Sequence, residues 1–238
     1  MQKTIVIFRA NDEFSYSEFI DYMLRMAGHT AETCSPYRLH ITFSDAVPPV
    51  LSVIPFKKSK IGLMSVYFKD SFSSEDIKSF LEKSRREISN PAIRFAGFYI
   101  VEEALPVTYQ KTWEDAVITP GVCLLTLFRR RQGISHVAFL DRWHNSHTPL
   151  SLEIHPLWHY NRNVILGQME QGSEVWEGIV EEHFRKRSDL LNPLKFFGTP
   201  FSMIPNMIRV YKDTNAFLDY KTIETYLVRE VIVKSREP

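Results

Sequence analysis

The chain has 238 residues, of which 44% are hydrophobic and 13% aromatic, enough to bury the core of one large domain or two small ones. Its 29 Lys and Arg residues nearly balance 28 Asp and Glu residues, and the formal net charge of +1 argues against nucleic acid or an anionic membrane as a partner. Cys34 and Cys123 fit no CxxC spacing, the N-terminus lacks signal-peptide features, and no apolar run approaches the ~20 residues of a membrane span, so a reduced, cytoplasmic protein is predicted.

An internal repeat organises the chain. A shift of 120 residues lays residues 5–9 (IVIFR) on residues 125–129 (LTLFR), and Ser15 and Phe19 on Ser135 and Phe139. In both copies an apolar run leads through a polar turn to a serine that precedes apolar residues at helical spacing. We therefore predict two units, at 1–104 and 122–238, joined by a linker at 105–121.

The first unit has the predicted order βαββαβ. Residues 3–9 are rich in β-branched and aromatic types and predict a strand, and Ser15 with Glu18 three residues later predicts a capping box that opens a helix to about Ala27. The other predicted elements are strands at 37–43 and 61–68 around a Pro-rich loop of 47–55, a helix after Ser74 with Ile77, Leu81 and Ile88 on one stripe, and a closing strand at 93–101.

The second unit repeats that order with a longer last part. Its predicted elements are a strand at 122–129, a helix at about 135–146 stopped by Pro149, strands near 154–164 and 176–184, a helical segment at 188–211 in two pieces around 198–200, and a strand at 224–234. Each unit should form a four-stranded antiparallel sheet with both helices on one face, and two such sheets can bury their bare faces against each other. A cavity inside could hold a small apolar ligand, and edge strands left over favour a homodimer.

The second unit resembles the EthD-like family. The residues that carry the resemblance are Phe128-Arg129-Arg130-Arg131 at a strand end, Phe139 and Trp143 in F-x-x-x-W spacing, His147-Thr148-Pro149-Leu150, Trp158-His159-Tyr160-Asn161, and the late Asp213, Phe217 and Asp219. The first unit keeps Phe19, Tyr22 and His29-Thr30 but lacks the tryptophan and the proline, so it is expected to keep the fold without the site.

The resemblance implies an α+β fold of tandem ferredoxin-like repeats whose antiparallel sheets pack face to face, the dimeric α+β barrel type. Members of this superfamily include cofactor-independent dehydratases, decarboxylases, isomerases and oxygenases acting on aromatic or polyketide-like molecules, and members with no known activity. The fold alone therefore does not determine the reaction.

Histidines concentrate in the second unit, which favours a site there. Six of the eight lie in it: His136, His144, His147, His155, His159 and His183. Phe139, Trp143 and His147 follow at four-residue intervals, so His147 lies at the C-terminal end of its helix, where the dipole favours a cationic imidazole. The position is compatible with a helix terminator and with a site residue.

The predicted strand at 155–163 has two candidate faces. Alternation puts His155, His159 and Asn161 on one face, and Trp158 and Tyr160 on the other. If the first face lines the cavity, His159 can act as an acid or base and Asn161 can hydrogen-bond a substrate oxygen; otherwise the aromatic pair lines it. On the next strand, His183 alternates with Glu181 and could join the same cavity.

Metal and nucleotide sites are not predicted. His144 and His147 have the spacing of a helical chelate, but the chain has no HExxH motif or cysteine pair, and His155 and His159 would lie ~13 Å apart on a strand. A Gly-rich phosphate loop and a dinucleotide fingerprint are also missing from the sequence. Arg129, with Arg130 and Arg131, could bind a carboxylate or could be a solvated strand end.

The resemblance to the EthD-like family implies a cofactor-independent lyase, a dehydratase or a decarboxylase, acting on a small aromatic or polyketide-like compound, and the histidine-rich second unit suits such acid–base chemistry. The predicted catalytic residues are His147, His159 and Asn161, and the predicted substrate-binding residues are Trp143, His155, Trp158, Tyr160, Arg129 and His183. A cofactor-free oxygenase and a non-enzymatic ligand-binding accessory protein are the alternatives.

Overall fold

The computed structural model describes residues 2–69 and 89–235, with residues 75, 78, 79, 82, 83 and 86 between them. The first half contains β1 (Gln2–Ala10), α1 (Tyr16–Cys34), β2 (Arg38–Phe43), β3 (Lys60–Phe68) and β4 (Ile93–Val107). The helix predicted after Ser74 falls on the sparsely described segment. Its described residues are helical, whereas Ile77, Leu81 and Ile88 lie outside the described residues.

The second half has the strands in the predicted order and more helical pieces than predicted. Its elements are β5 (Val122–Phe128), α2 (His136–Asp141), a π-helical turn (Arg142–His147), α3 (Thr148–Ile154), β6 (His159–Gln168), β7 (Gly178–Phe184), α4 (Arg187–Leu191), α5 (Pro193–Phe196), α6 (Met203–Asn215) and β8 (Glu224–Lys234). The region predicted as two helical pieces is therefore three short helices.

The eight strands form one closed antiparallel barrel in the order β1-β3-β2-β8-β5-β7-β6-β4. Within each half the strand order is that of a ferredoxin-like sheet, so the predicted fold class is confirmed. The two sheets also join at both edges, because β2 pairs with β8 and β4 pairs with β6. These are the edges that were expected to drive a homodimer, and their pairing within the chain removes that physical reason for one.

The repeat is visible in the directions of the side chains. Ile5 and Ile7 of β1, and Leu125 and Leu127 of β5, belong to one buried apolar cluster in the barrel interior. The alternate residues of both strands face outward and pack beneath the helices. The predicted register between the two copies therefore holds in three dimensions.

Helix α1 begins as predicted and ends later. Ser15 and Glu18 form the capping box, with the Ser15 hydroxyl accepting from the Glu18 N–H at 3.2 Å. The predicted end near Ala27 is wrong: the helix continues to Cys34, because Thr30 and Cys34 extend its buried face against the sheet. It ends at Ser35, which has a left-handed φ of 43°.

The helix that follows Ser135 does not stop at Pro149. The π-helical turn leads directly into α3, and Pro149 lies in the first turn of α3, where its missing N–H is tolerated. The chain therefore stays helical to Ile154. As a result, the strand predicted from residue 154 begins only at His159.

Strand β4 is longer than predicted, and it shortens the connection between the halves. It continues past residue 101 to Val107, where it pairs with Tyr160 of β6. The following segment, 108–121, crosses one end of the barrel beside β8, with the Thr119 N–H donating to the Glu230 carbonyl at 2.8 Å. No helix within the described part of the chain combines the length and apolar character needed to cross a bilayer.

We predict that Gly178→Ala destabilises the protein. A Cβ at Gly178 would lie 2.4 Å from Phe128 and 2.8 Å from Trp143, so these two buried rings would have to move. Overpacking of this kind costs about 1–3 kcal/mol, which urea denaturation monitored by circular dichroism can measure as a lower free energy of unfolding.

Gly167→Ala in β6 is the matched control, because a Cβ there meets no heavy atom within 4 Å. Its free energy of unfolding should change by less than about 0.5 kcal/mol. Equal losses in the two variants would contradict the close packing described at Gly178.

Candidate functional site

Seven of the nine predicted site residues lie in two places, on opposite faces of the second-half sheet. His159, Asn161 and His183 point into the barrel interior, where β6 and β7 pair His159 with His183. His147, His155, Trp143 and Tyr160 line a cavity on the outer face of the same sheet. The prediction that His155 shares a face with His159 is wrong, because His155 caps α3 and does not belong to the strand.

The barrel interior holds a buried polar network around Glu103. Its carboxylate accepts hydrogen bonds from Lys3 Nζ at 2.7 Å, Tyr67 Oη at 2.6 Å and Asn161 Nδ2 at 2.9 Å. Burial acts to raise the pKa of Glu103, but Lys3 and Tyr67 outweigh it and lower the pKa to about 2. Asn161 is thus held by an ionised carboxylate, and its Oδ1 has no partner among the described residues.

His159 and His183, the two predicted site histidines in the barrel interior, are neutral and enclosed. Burial lowers the pKa of His159 to about 3 and that of His183 to about 4. Tyr109, from the segment that crosses the barrel end, lies over His159 with ring centroids 4.4 Å apart. Trp158 also packs against Tyr109, with ring centroids 4.9 Å apart. The structure therefore places His159 and Asn161 apart from His147, and their predicted catalytic role stays a prediction.

The three arginines at the end of β5 diverge. The Arg129 Nε–H donates to the Val175 carbonyl at 2.6 Å, and the guanidinium lies 5.4 Å from the Trp176 ring centroid. Arg130 forms an ion pair with Glu177, and Arg131 bonds a carbonyl of α6. Arg129 lines a separate hollow of about 330 Å³ and not the cavity that contains His147.

The cavity, which we call the helix–sheet cavity, has a volume of about 390 Å³ and lies between the second-half sheet and its helices. Its floor is the outer face of β5, β6 and β7, its roof comes from the π-helical turn, α3, α5 and α6, and part of its wall comes from the first half. Representative residues of these surfaces are Leu124, Phe128, Tyr160 and Val180 in the floor, Trp143, Phe196, Phe197 and Phe217 above it, and Val53, Ile54 and Pro55 in the wall. The lining is mostly apolar and aromatic, as expected of a small-molecule site.

A histidine–aspartate pair faces this cavity. His147 Nδ1 lies 2.8 Å from Asp213 Oδ2, and because a carboxylate only accepts, the proton is on Nδ1. In the neutral imidazole His147 Nε2 is then an acceptor, and it lies 3.2 Å from the Ser151 hydroxyl that also lines the cavity. Burial acts to raise the pKa of Asp213, but hydrogen bonds from His147 and Ser146 lower it, so the carboxylate is ionised. The pair presents a basic nitrogen to the cavity.

Local structure positions this pair. His147 is the last residue of the π-helical turn, and Asp213 lies near the end of α6, which packs against that turn. The Trp143 carbonyl accepts both the Thr148 N–H, in the wider π-helical pattern, and the Thr148 hydroxyl at 2.9 Å, which ties the end of the turn together. Two helices that are distant in sequence therefore supply the base and the group that orients it.

A carboxyl group and a second imidazole also line the cavity. Glu182 of β7 is buried, and burial alone raises its pKa to about 7. His155 stacks on Phe196 with ring centroids 4.0 Å apart, and its Nδ1–H donates to the Phe196 carbonyl at 2.8 Å. Burial lowers the pKa of His155 to about 4, so it is neutral at physiological pH. Among the residues that the structure describes, no group of three or more His, Cys, Asp or Glu is arranged to hold a metal ion.

Sequence reasoning missed Glu182 and Ser151. A signal for Glu182 existed: it interrupts the outward-facing apolar residues Val180 and Phe184 of β7. Ser151 lies four residues after His147, the spacing of one helix face, but the helix was expected to end before it. The pairing of Asp213 with His147 carried no sequence signal, because it depends on how two distant helices pack.

Comparison with known proteins supports the fold. No family model and no curated protein matches the chain. An anthrone oxidase-like protein matches 99% of this chain and 95% of its own, with a TM-score of 0.59 at 10% identity. A protein assigned as a monooxygenase from Lactobacillus acidophilus (TM-score 0.50, 8% identity) covers 98% of this chain and 97% of that one. A protein assigned as a chlorite dismutase (TM-score 0.50, 12% identity) covers 98% and 94%.

At these identities the similarity shows the fold alone. The chain has the fold of the dimeric α+β barrel proteins, as the sequence predicted. Since no family model matches, the narrower resemblance to the EthD-like family stays a prediction.

Glu182 should make the stability of the protein fall as the pH rises. Its pKa is about 7 in the folded protein and 4.5 ordinarily, so between these values the folded state holds a proton that the unfolded state has released. The contribution of this proton to the free energy of unfolding is fully present below pH 4.5 and is lost as the pH rises through about 7. Glu182→Gln removes this titration. Its free energy of unfolding, relative to wild type, should rise by up to about 3 kcal/mol between these pH values.

The measurement is urea denaturation at a series of pH values between those two limits. Glu114→Gln is the control, since it removes a carboxyl at an exposed position away from the cavity. If the free energy of unfolding of Glu182→Gln, plotted against pH, runs parallel to that of wild type across this range, Glu182 has the same pKa in the folded and unfolded states.

Proposed function

We propose that the chain is an enzyme that acts on a small aromatic or polyketide-like molecule bound in the helix–sheet cavity. The observation that carries the proposal is the His147–Asp213 pair, whose basic nitrogen faces a mostly apolar cavity of about 390 Å³. A cavity of this size suits a ligand of a few fused or linked rings. Acid–base chemistry by a histidine needs this arrangement of an oriented imidazole beside the reacting atoms.

In the proposed mechanism His147 removes a proton from the substrate. Asp213 holds Nδ1–H and thereby leaves Nε2 free to accept the proton, and it stabilises the imidazolium that forms. The Ser151 hydroxyl, which hydrogen-bonds Nε2 in the structure, can turn to donate to the substrate oxygen that gains negative charge. The aromatic lining excludes water and orients the ring system.

The substrate anion has two possible fates. In a dehydratase a C–O bond of the anion breaks, and the departing hydroxide takes the proton from His147 and leaves as water. In a decarboxylase the proton removed is that of the carboxyl group, the C–C bond to the carboxylate breaks with loss of carbon dioxide, and His147 returns the proton to that carbon. These lyases are the reaction class predicted from the sequence. In a cofactor-free oxygenase a substrate CH₂ group is converted to C=O by O₂, and the second oxygen atom leaves with both hydrogens as water. The oxygenase is favoured as the second candidate because two of the structural neighbours are an anthrone oxidase-like protein and an assigned monooxygenase.

Both fates use no cofactor, and this can be tested directly. Purified protein should show no absorbance band at wavelengths longer than the aromatic band of its tryptophans. A coloured preparation would contradict the cofactor-independent reading.

The homodimer expected from the sequence also stays a prediction, which light scattering can test.

Asp213→Asn should lower kcat by about 100-fold or more, because the amide no longer fixes the tautomer of His147 or stabilises its charged form. Turnover is measured on a panel of phenols, anthrones and aromatic β-keto acids by mass spectrometry, with an oxygen electrode and carbon dioxide detection in parallel. Oxygen uptake that matches product formation identifies an oxygenase, and anaerobic turnover identifies a lyase.

Asp141→Asn is the matched control, since Asp141 is an exposed carboxylate at the end of α2 that accepts from Asn145. It should retain wild-type kcat. Wild-type activity in Asp213→Asn would overturn the role given to the pair, and ligand binding without turnover by any panel member would favour a ligand-binding accessory protein.

A further inference from the structure

We infer that Glu182 selects ligands of the helix–sheet cavity by charge, so that the substrate is a neutral or positively charged aromatic molecule, such as a phenol or an aromatic amine, and not an aromatic carboxylate. Of the proposed reactions, this keeps the dehydratase and the oxygenase and excludes the decarboxylase, whose substrate is a carboxylate. This inference rests on the proposed function, because it takes the cavity to be the substrate site.

The backbone fixes the direction in which Glu182 points. It lies in the middle of the second-half sheet, paired with Leu124 of β5 and with Tyr160 of β6. Leu124, Tyr160 and Glu182 all line the cavity, so the carboxyl group shares their face of the sheet. Its neighbours Glu181 and His183 face the barrel interior, where Glu181 accepts a hydrogen bond from Thr42 at 2.6 Å.

The charges around the cavity leave the Glu182 carboxyl without a cation. The titratable residues that line the cavity are His147, His155, Tyr160, Glu182, Tyr211 and Tyr220, and no Lys or Arg is among the described residues of the lining. Any positive charge on His147 is matched by Asp213. Arg162, at the next outward position after Tyr160, does not line the cavity, and its guanidinium donates a hydrogen bond to the Thr148 hydroxyl oxygen at 2.7 Å.

A single acidic group in an apolar cavity discriminates among ligands that have the same ring. Ionised Glu182 attracts an ammonium group and repels a carboxylate, and the low polarity of the surroundings strengthens both effects. Protonated Glu182 donates a hydrogen bond to a neutral hydroxyl or carbonyl oxygen. In neither protonation state of Glu182 does the cavity lining supply a cation that could compensate a bound carboxylate for its lost hydration.

The burial of Glu182 determines the pH range over which its charge can discriminate among ligands. Its pKa of about 7 means that both forms are present near neutral pH. His155, with its pKa lowered to about 4 by burial, stays neutral across the same range. Preference for an amine should therefore grow as the pH rises through about 7, because ionised Glu182 then predominates.

The experiment uses three ligands with one ring system: 2-naphthol, 2-naphthylmethylamine and 2-naphthoate. Isothermal titration calorimetry on the full chain measures Kd at about pH 6 and about pH 8.5, on either side of the range where Glu182 titrates. Wild type should bind the amine and the naphthol at least about tenfold more tightly than the naphthoate at the higher pH, and the gap should narrow at the lower pH.

Glu182→Gln keeps the shape of the side chain and removes its charge. It should weaken the amine, tighten the naphthoate and abolish the pH dependence of their ratio. Glu181→Gln is the matched control: it removes a buried carboxyl from the adjacent position, on the opposite face of the sheet, and should leave the ratio as in wild type. Circular dichroism confirms that both variants are folded.

The possible outcomes distinguish the inference about charge selection from the proposed function of the cavity. Equal binding of all three ligands by wild type, or an unchanged amine-to-naphthoate ratio in Glu182→Gln, would overturn the inference about charge while leaving the cavity as an aromatic site. If wild type binds none of the three at either pH, the proposed function loses its substrate site as well.

Discussion

The hydrogen bonding of the two sheets at both edges is the constraint on which the rest of the structure depends. Because β2 pairs with β8 and β4 pairs with β6, the sheets become one closed barrel whose interior is filled by side chains. A ligand of several rings is therefore more easily accommodated on an outer face, beneath the helices. Closure also creates the buried polar end of the barrel, where Lys3 and Glu103 form an ion pair that joins the first strand of the first half to its last.

The corresponding outer faces of the two half-sheets differ in how closely the helices pack on them. In the first half α1 lies close to the sheet, and a Cβ at Gly62 would meet Met23 at 2.6 Å and Phe19 at 3.1 Å. In the second half the corresponding helix widens into a π-helical turn, and α6 contributes a second layer above it. The wider turn and the added layer leave a space that His147 lines from the roof and Glu182 from the floor, while Asp213 of α6 hydrogen-bonds His147. Duplication thus supplied a second outer face, and local changes in the helices opened it.

The sequence predicted what depends on local periodicity and on the repeat, and little that depends on packing between distant elements. The strands, the capping box at Ser15 and the register between Ile5 and Leu125 follow from patterns within a few residues of each other. Period-two alternation also identified two faces of β6 and β7 but could not say which face lines a cavity, because all seven residues of β7 are buried. His155 was assigned to the wrong face because proline was expected to end a helix that it instead continues.

Part of the cavity wall comes from the half that carries none of the proposed catalytic groups. The loop at 53–55 reaches across to β8, where the Thr225 hydroxyl donates to the Pro55 carbonyl at 2.9 Å and Phe56 bridges to Thr225. The two copies of the ancestral unit have therefore become interdependent in a way that strand pairing alone does not require. Substitutions in this loop of one copy can reshape the cavity wall without changing the His147–Asp213 pair of the other copy, and an engineer who wishes to change ligand preference can begin there.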